Sequence, residues 1–355
     1  MPETIAAGQR AEIAQRSLDH FWGAPAPQLF DNVDPEGPGT NATFNYWWLA
    51  HVVDCRLDAY ERTSDVRWRD EAVAVAANIV ERNGGSLFND YFDDMLWLAL
   101  ASHRLAEAGA GAEHLAAAVA IWDHVVEHGW NAVLGPSLAW RKQQLDYKNT
   151  PANGPLVILS LRLARATGEQ RYVEIAERAY AWLTEHLIDP ETGFVEDGIN
   201  RSGDGRIDTQ WRFTYNQGLV VGANVELFRT TGERSYLDRA ARTARTAIDE
   251  LSDGVVFADE GDGGDEGLFK GVYFRYLGQL VAAGGDPDGG LADFVHGATG
   301  VLWDTCFDGE WLRASNSWRE PASGPVAYST QLSAIMALEL VAGLDEGRGA
   351  DLLVA

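Results

Sequence analysis

The sequence predicts an all-α chain, an (α/α)6 barrel of about twelve helices in inner/outer pairs, on three observations. Apolar residues recur at three- and four-residue spacing in segment after segment, the period of an amphipathic helix. A short turn recurs between paired segments. Thr63-Ser-Asp-Val-Arg-Trp68, Thr167-Gly-Glu-Gln-Arg-Tyr172 and Thr231-Gly-Glu-Arg-Ser-Tyr236 each carry a Thr followed five residues later by an aromatic. The stretches joining one pair to the next are long, at 23–43, 129–149, 189–211, 252–267 and 307–325.

Apolar periodicity places helices at about 5–22, 44–62, 68–83, 91–108, 111–128, 150–166, 170–187, 213–231, 235–251, 267–282, 291–305 and 326–343. Within the recurring turn, Gly168 and Gly232 suit a helix C-terminus, and the acidic residue that follows suits the next N-terminus. The repeat therefore reads as helical hairpins, with the first helix of each pair inside a ring and the second outside. An open solenoid would need polar capping repeats at both ends. The long stretches favour closure, because they would all gather at one mouth, and loops of that length in a compact protein are usually functional. No run alternates apolar and polar residues long enough for a sheet, although 254–257 suits a loop hairpin. No Pro/Ser-rich linker interrupts the pattern, so a single domain over 1–355 is expected.

The formal charge of −25 excludes a general nucleic-acid or anionic-membrane binder, because polyanions would be repelled. No run of about 18 apolar residues is present, so no membrane span is expected. Cys55 and Cys306 are too few for a disulfide framework or a four-ligand zinc site. The first residues show neither a basic n-region nor an apolar h-region. A cytoplasmic location is expected from that, or a secreted one if a leader had been trimmed. Thirteen Trp is a surplus beyond core needs, of the kind that lines a sugar or aromatic-ligand cleft.

The sharpest local feature is Phe88-Asn-Asp-Tyr-Phe-Asp93-Asp94-Met-Leu-Trp97, acids and aromatics at the start of a strongly apolar helix. One Asp explains an N-terminal cap. A cap does not readily explain two adjacent Asp flanked by Phe92, Met95 and Trp97, and buried carboxylates are costly unless paired or functional. Paired carboxylates in an aromatic mouth suit glycoside hydrolysis, where one carboxyl donates a proton and the other attacks or activates water. Neighbours push their pKa values apart, supplying both states near neutral pH. Consecutive residues, with Cα atoms about 3.8 Å apart, favour the shorter carboxyl separation of a retaining mechanism.

Other polar and aromatic clusters open inner helices or sit in mouth stretches. They are Asn45-Tyr-Trp-Trp48, Trp140, Tyr147-Lys148-Asn149-Thr-Pro-Ala-Asn153-Gly, Phe213-Thr-Tyr215-Asn216-Gln217-Gly, and Phe269-Lys270-Gly-Val-Tyr-Phe-Arg275-Tyr. Amides match sugar hydroxyls as donors and acceptors, and aromatic faces stack on sugar rings. Lys148, Lys270 and Arg275 are cations in an acidic protein, suited to pairing with carboxylates or to meeting a sugar.

Taken in order over about residues 44–340, these motifs resemble glycoside hydrolase family 76, the endo-α-1,6-mannanases. The resemblance implies an (α/α)6 barrel and retaining hydrolysis of α-1,6-linked mannan or mannooligosaccharides. It implies Asp93 as nucleophile and Asp94 as general acid/base, without cofactor or metal. The substrate-binding residues expected are Asn45, Trp48, Trp97, Trp140, Tyr147, Lys148, Asn149, Asn153, Tyr215, Asn216, Gln217, Lys270 and Arg275. The rival readings are an exo-acting α-mannosidase, another (α/α)6 glycan hydrolase of the unsaturated uronyl type, and a catalytically silent carbohydrate-binding protein.

Two acidic stretches are set aside as metal sites. Asn200–Asp208 follows the first positions of a calcium loop, but Trp211 stands where a Glu is needed. The stretch 259–266 reads as a solvated turn, with loose calcium binding as the alternative. The pair His124 and His128 reads as surface, and no zinc-protease spacing occurs.

Overall fold

The computed structural model describes residues 5–262 and 264–347. The ends of the expected domain, 1–4 and 348–355, and one residue of the acidic stretch 259–266 lie outside these described residues. Twelve α-helices form among them: α1 Ala7–Ser17, α2 Tyr46–Thr63, α3 Val66–Arg82, α4 Phe92–Glu107, α5 Ala112–Gly129, α6 Thr150–Thr167, α7 Gln170–His186, α8 Thr214–Thr231, α9 Arg234–Leu251, α10 Glu266–Ala282, α11 Gly290–Cys306 and α12 Tyr328–Asp345. None of these helices is long and apolar enough to cross a membrane.

The even-numbered helices form a closed inner ring. Each packs on the next, α2 on α4, α4 on α6, α6 on α8, α8 on α10 and α10 on α12, and α12 returns to α2. The helices α3, α5, α7 and α9 back the ring against the inner helix that precedes them, while α1 backs α12. This is the (α/α)6 barrel. The inner helices are buried on nearly every face; α12 is buried from Tyr328 to Gly343. The outer helix α9 buries only one stripe, Leu237, Ala240, Thr243, Ala244 and Ala247.

The recurring turn has a local cause. Ser64, Gly168 and Gly232 each take the left-handed conformation just past α2, α6 and α8, with φ of 57°, 76° and 75°. In all three turns the preceding Thr hydroxyl donates to the carbonyl four residues back, Ala59, Leu163 or Leu227. The same oxygen accepts the backbone N–H of Asp65, Glu169 or Glu233. The Thr thus closes one helix and sets up the start of the next. In two of the turns the aromatic that follows meets the preceding outer helix, with Tyr172 fully buried against Trp122 of α5 and Tyr236 facing Tyr180 of α7.

Neighbouring inner helices meet at glycines. A Cβ on Gly218 would lie 2.6 Å from the Tyr273 Cα, and one on Gly271 would lie 2.7 Å from the Ser333 Cα. Backbone atoms cannot swing aside as a side chain can. Gly218→Ala is therefore expected to pry α8 from α10 and cost about 1–3 kcal/mol, read as a lower midpoint in urea unfolding.

Because each inner helix starts at the same end, the long connections gather there. A small sheet, absent from the sequence expectation, fills part of this mouth. It comprises β2 Trp130–Asn131, β3 Ser137–Arg141, β4 Gln144–Asn149 and β5 Gly198–Ile199. A second pair, β1 Val33–Asp34 and β6 Val326–Ala327, ties two other mouth stretches together. The suggested turn near 254–257 forms an isolated bridge, Ser252 to Phe257. The opposite end is closed by ion pairs between inner helices. Arg104 reaches Asp54, Asp58 and Glu61, Arg275 reaches Asp58, and Arg162 reaches Glu226.

Candidate active site

The barrel mouth holds a cleft of about 700 Å3. Its floor and walls come from the first turns of α2, α4, α6, α8 and α10 and from the mouth sheet. Asp93 and Asp94 lie in the first turn of α4, where the helix dipole favours negative charge. The segment before α4 is shaped by Asn89, whose Oδ1 accepts the Tyr91 N–H at 2.8 Å. Its Nδ2 donates to Asp94 Oδ2 at 3.1 Å.

The two acids live in different fields. Asp93 accepts the Trp140 indole N–H at 3.0 Å on Oδ2 and the Asp94 N–H at 3.0 Å on Oδ1. Burial pushes its carboxyl up to about 7, while those two hydrogen bonds restrain the rise. Asp94 is pushed well above the carboxylate range by burial, and then by the charges of Asp93 and Asp265. Only the Asn89 amide opposes this. Asp93 therefore ionises first and Asp94 keeps its proton.

Trp140 is aimed by the sheet. It projects from β3, whose end is pinned to the segment before α4 by a Tyr91–Arg141 bridge and by the Lys142 N–H donating to Asp90 O at 2.9 Å. The sequence reading found Trp140 but not the hairpin that carries it.

Of the expected substrate residues, Asn45, Trp97, Trp140, Asn149 and Tyr215 line the cleft. Trp48 lines an adjoining groove and donates its indole N–H to Asp265 at 2.7 Å. The others are turned away, and their chemistry is spent on the protein itself. The Asn153 amide clamps the backbone of Leu138, accepting its N–H and donating to its carbonyl, both at 2.9 Å. The Gln217 amide does the same to Val195, at 2.9 and 2.7 Å. These two clamps hold mouth stretches against α6 and α8. Lys148 Nζ donates to Ser137 O at 2.8 Å, and burial pushes its ammonium down to about 7. Lys270 Nζ donates to the carbonyl of Asn316. Arg275 makes a two-pronged contact with Asp58 at the closed end, at 2.9 and 2.7 Å.

Tyr147 and Asn216 act through a residue that the sequence reading missed. Asp197 lines the cleft yet is almost wholly buried. Its Oδ1 accepts the Tyr215 hydroxyl at 3.0 Å and the Asn216 amide at 3.1 Å. Its Oδ2 lies 3.0 Å from the Tyr147 hydroxyl and accepts Arg201 Nη2 at 2.8 Å. Burial raises the Asp197 carboxyl, and these partners hold the rise in check. Arg201 in turn lies over the Trp211 ring, 3.6 Å from its centroid. Tyr215 stacks on Phe269 at 4.0 Å with the rings 7° apart. The sequence signal for Asp197 was faint: one acid in a mouth stretch already rich in Asp.

Glu260 was missed as well. It accepts the Thr214 N–H at 2.6 Å and the Thr214 hydroxyl at 2.8 Å, capping α8 from another stretch of chain. Burial pushes its carboxyl up to about 7. Among the described residues no group of three or more His, Cys, Asp or Glu is arranged to hold a metal ion. In the calcium-like stretch the Asn200 amide instead accepts the Gly205 N–H and donates to Asp146 O.

The model of glycosyl hydrolase family 76 matches residues 6–341. A mannan endo-1,6-alpha-mannosidase of Saccharomyces cerevisiae, DCW1, is 30% identical over 268 residues, 66% of this chain and 58% of that protein. The chain thus spans less than two thirds of that relative's length. Among solved structures, the Lin0763 protein of Listeria innocua superposes with a TM-score of 0.93 at 42% identity, covering 97% of this chain and 99% of that one. The GH76A α-1,6-mannanase of Salegentibacter sp. HEL1_6 superposes with a TM-score of 0.88 at 34% identity, covering 96% and 100%. A variant of that mannanase with two consecutive aspartates replaced is described as inactive and is seen with α-1,6-mannotriose. With a family match over nearly its whole length and a cleft built around an aspartate pair, the chain belongs to glycoside hydrolase family 76.

Proposed function

We propose that the protein hydrolyses α-1,6-linked mannan or mannooligosaccharides with retention of anomeric configuration. Asp93 attacks the anomeric carbon, and Asp94 protonates the leaving oxygen. Asp94 then takes a proton from the water that releases the glycosyl-enzyme. The observation that carries this is the unequal surroundings of the two acids. Asp93 has two donors to stabilise its anion, whereas Asp94 has one donor and faces two negative charges. An attacking carboxylate and a proton-bearing carboxyl are the two states a retaining glycosidase needs. The walls of Trp47, Trp97, Trp140 and Tyr215 suit sugar faces, and the amides of Asn45 and Asn149 in the lining suit hydroxyls. The aspartate pair and bound mannotriose of the Salegentibacter mannanase support the same substrate class.

Digestion of linear α-1,6-mannan followed by NMR tests this. The first product formed is expected to carry the α-anomer, with oligosaccharides of several lengths at early times. A β-anomer would reject retention, and mannose alone from the outset would favour the exo-acting alternative.

Trp140→Phe removes one stabilising donor from the Asp93 anion. Its carboxyl then rises further, and the acid limb of kcat/KM is expected to move to higher pH by about one unit, because the attacking group must be ionised. An unmoved acid limb would contradict the role of Asp93.

A further inference from the structure

Across the cleft from α4, Asp265 stands immediately before α10. One of its oxygens, Oδ1, accepts the indole N–H groups of both Trp47, at 3.0 Å, and Trp48, at 2.7 Å. These two residues open α2, so a single carboxylate ties the α2 and α10 sides of the ring at the mouth. Trp47 faces Trp97 and Phe269 at ring separations of 6.3 and 6.4 Å. The clamp therefore sets the pose of an aromatic wall beside the acid pair. No side chain among the described residues bonds the second oxygen, Oδ2.

We propose that Asp265 is a positioning residue for the proposed glycosidase: it locks Trp47 against the cleft and adds a second negative charge to that of Asp93 around the protonated Asp94. This rests on the assignment of those two acids. The field has a use. The transition state of glycoside cleavage resembles an oxocarbenium ion, and fixed negative charge aimed at it is stabilising. The same charge opposes early loss of the Asp94 proton, which must stay until the leaving oxygen takes it. The other groups facing the acids from packed elements are Tyr46 of α2, Tyr215 of α8, Glu266 of α10, and the Asp197–Arg201 ion pair. Arg201 is shared by Asp197 and a second carboxylate, Asp208, at 2.8 and 3.1 Å. Asp265 has no cation partner among the described residues and so contributes uncancelled charge.

Burial apart, Asp265 raises both carboxyls of the pair. Its removal should lower both. Asp265→Asn retains an Oδ1 that can accept the two indoles but loses the charge. Both limbs of the kcat/KM profile on α-1,6-mannotetraose are expected to move to lower pH, by about one unit. Trp47→Phe, which frees the wall residue from the clamp, keeps the Trp48 bond and leaves the charge, is expected to raise KM severalfold with both limbs unmoved. Asp265→Glu, which keeps the charge, is expected to leave the limbs near wild type. Titration of 13C-labelled aspartate carboxyls, followed without substrate, should show the same downward shift for Asp93 and Asp94 in Asp265→Asn. Carboxyl titrations identical in wild type and Asp265→Asn would overturn the proposal, as would an equal shift in the Glu variant. Failure of the wild type to cleave mannotetraose would strike the assignment of the reaction instead, while the carboxyl titration would still decide the role of Asp265.

Discussion

If Asp93 is the nucleophile as proposed, Asp93→Asn is expected to lower kcat on α-1,6-mannooligosaccharides by about 10^4-fold or more, since an amide cannot form the proposed glycosyl-enzyme. Asp94→Asn is expected to cost about 10^2 to 10^4, and the cost should shrink on substrates whose leaving group needs no proton. Steady-state rates on mannotetraose and on an aryl α-mannoside separate the two. Equal, wild-type-like rates in both variants would remove the assignment. Asp93→Asn has a second consequence, for stability. The folded carboxyl stands near 7 against an unfolded value near 4, so the native state binds more protons than the unfolded chain between those values. Stability therefore falls as pH rises through that window. An amide is free of this loss. The inactive variant is expected to melt a few degrees above wild type at pH 8 and to show no gain near pH 4.

Glu226→Ala is expected to destabilise the fold by about 3–5 kcal/mol without touching the cleft. Glu226 is fully buried on α8. It meets Arg162 at 3.0 Å, Arg229 at 2.9 Å and Arg165 at 2.6 Å. Removing it takes away the buried carboxylate that these three guanidinium groups share. Those cations hold the Glu226 carboxyl down at about 2 against its burial. A depressed carboxyl contributes stability above its unfolded value of about 4.5, and that stability is lost as pH falls toward 2. The gap between wild type and variant, read by urea unfolding, should be full at pH 7 and narrow below pH 4. A gap that is constant with pH would mean that packing, not charge, holds this layer.

The ring of helices was legible because its signal is local and repeated. The three Thr turns carry their own hydrogen bonds and left-handed caps, so each copy announces a hairpin whatever surrounds it. The mouth sheet was not legible. Leu138 and Trp140, then Leu145 and Tyr147, do alternate, but over runs too short to stand out against helical neighbours. The acid pair could be found because two adjacent Asp beside apolar residues have no cheap structural explanation. The polar residues opening α6 and α8 were ambiguous for a physical reason. An amide satisfying a loop carbonyl and an amide awaiting a hydroxyl look alike in one dimension. Asn153 and Gln217 turned out to clamp Leu138 and Val195, and Arg275 belongs to the closed end. Asp197 and Asp265 gain meaning only when strands and helices distant in sequence meet around them.

The closing of α12 onto α1 and α2 makes a seam between the two extremes of the chain. Across it Gln15 donates to Glu339 at a sequence separation of 324, and Arg62 reaches the same carboxylate at 2.8 Å. The inner ring cannot close until its last stave exists. During synthesis, therefore, the aspartates of α4 emerge early but lie in a half-open trough, with α10 and its carboxylate still unmade. Contacts of such long span pay their entropy late, so final zipping, not helix formation, should pace folding. The cleft residues, which run from Thr43 to Phe269, all exist before the helix that closes the ring around them.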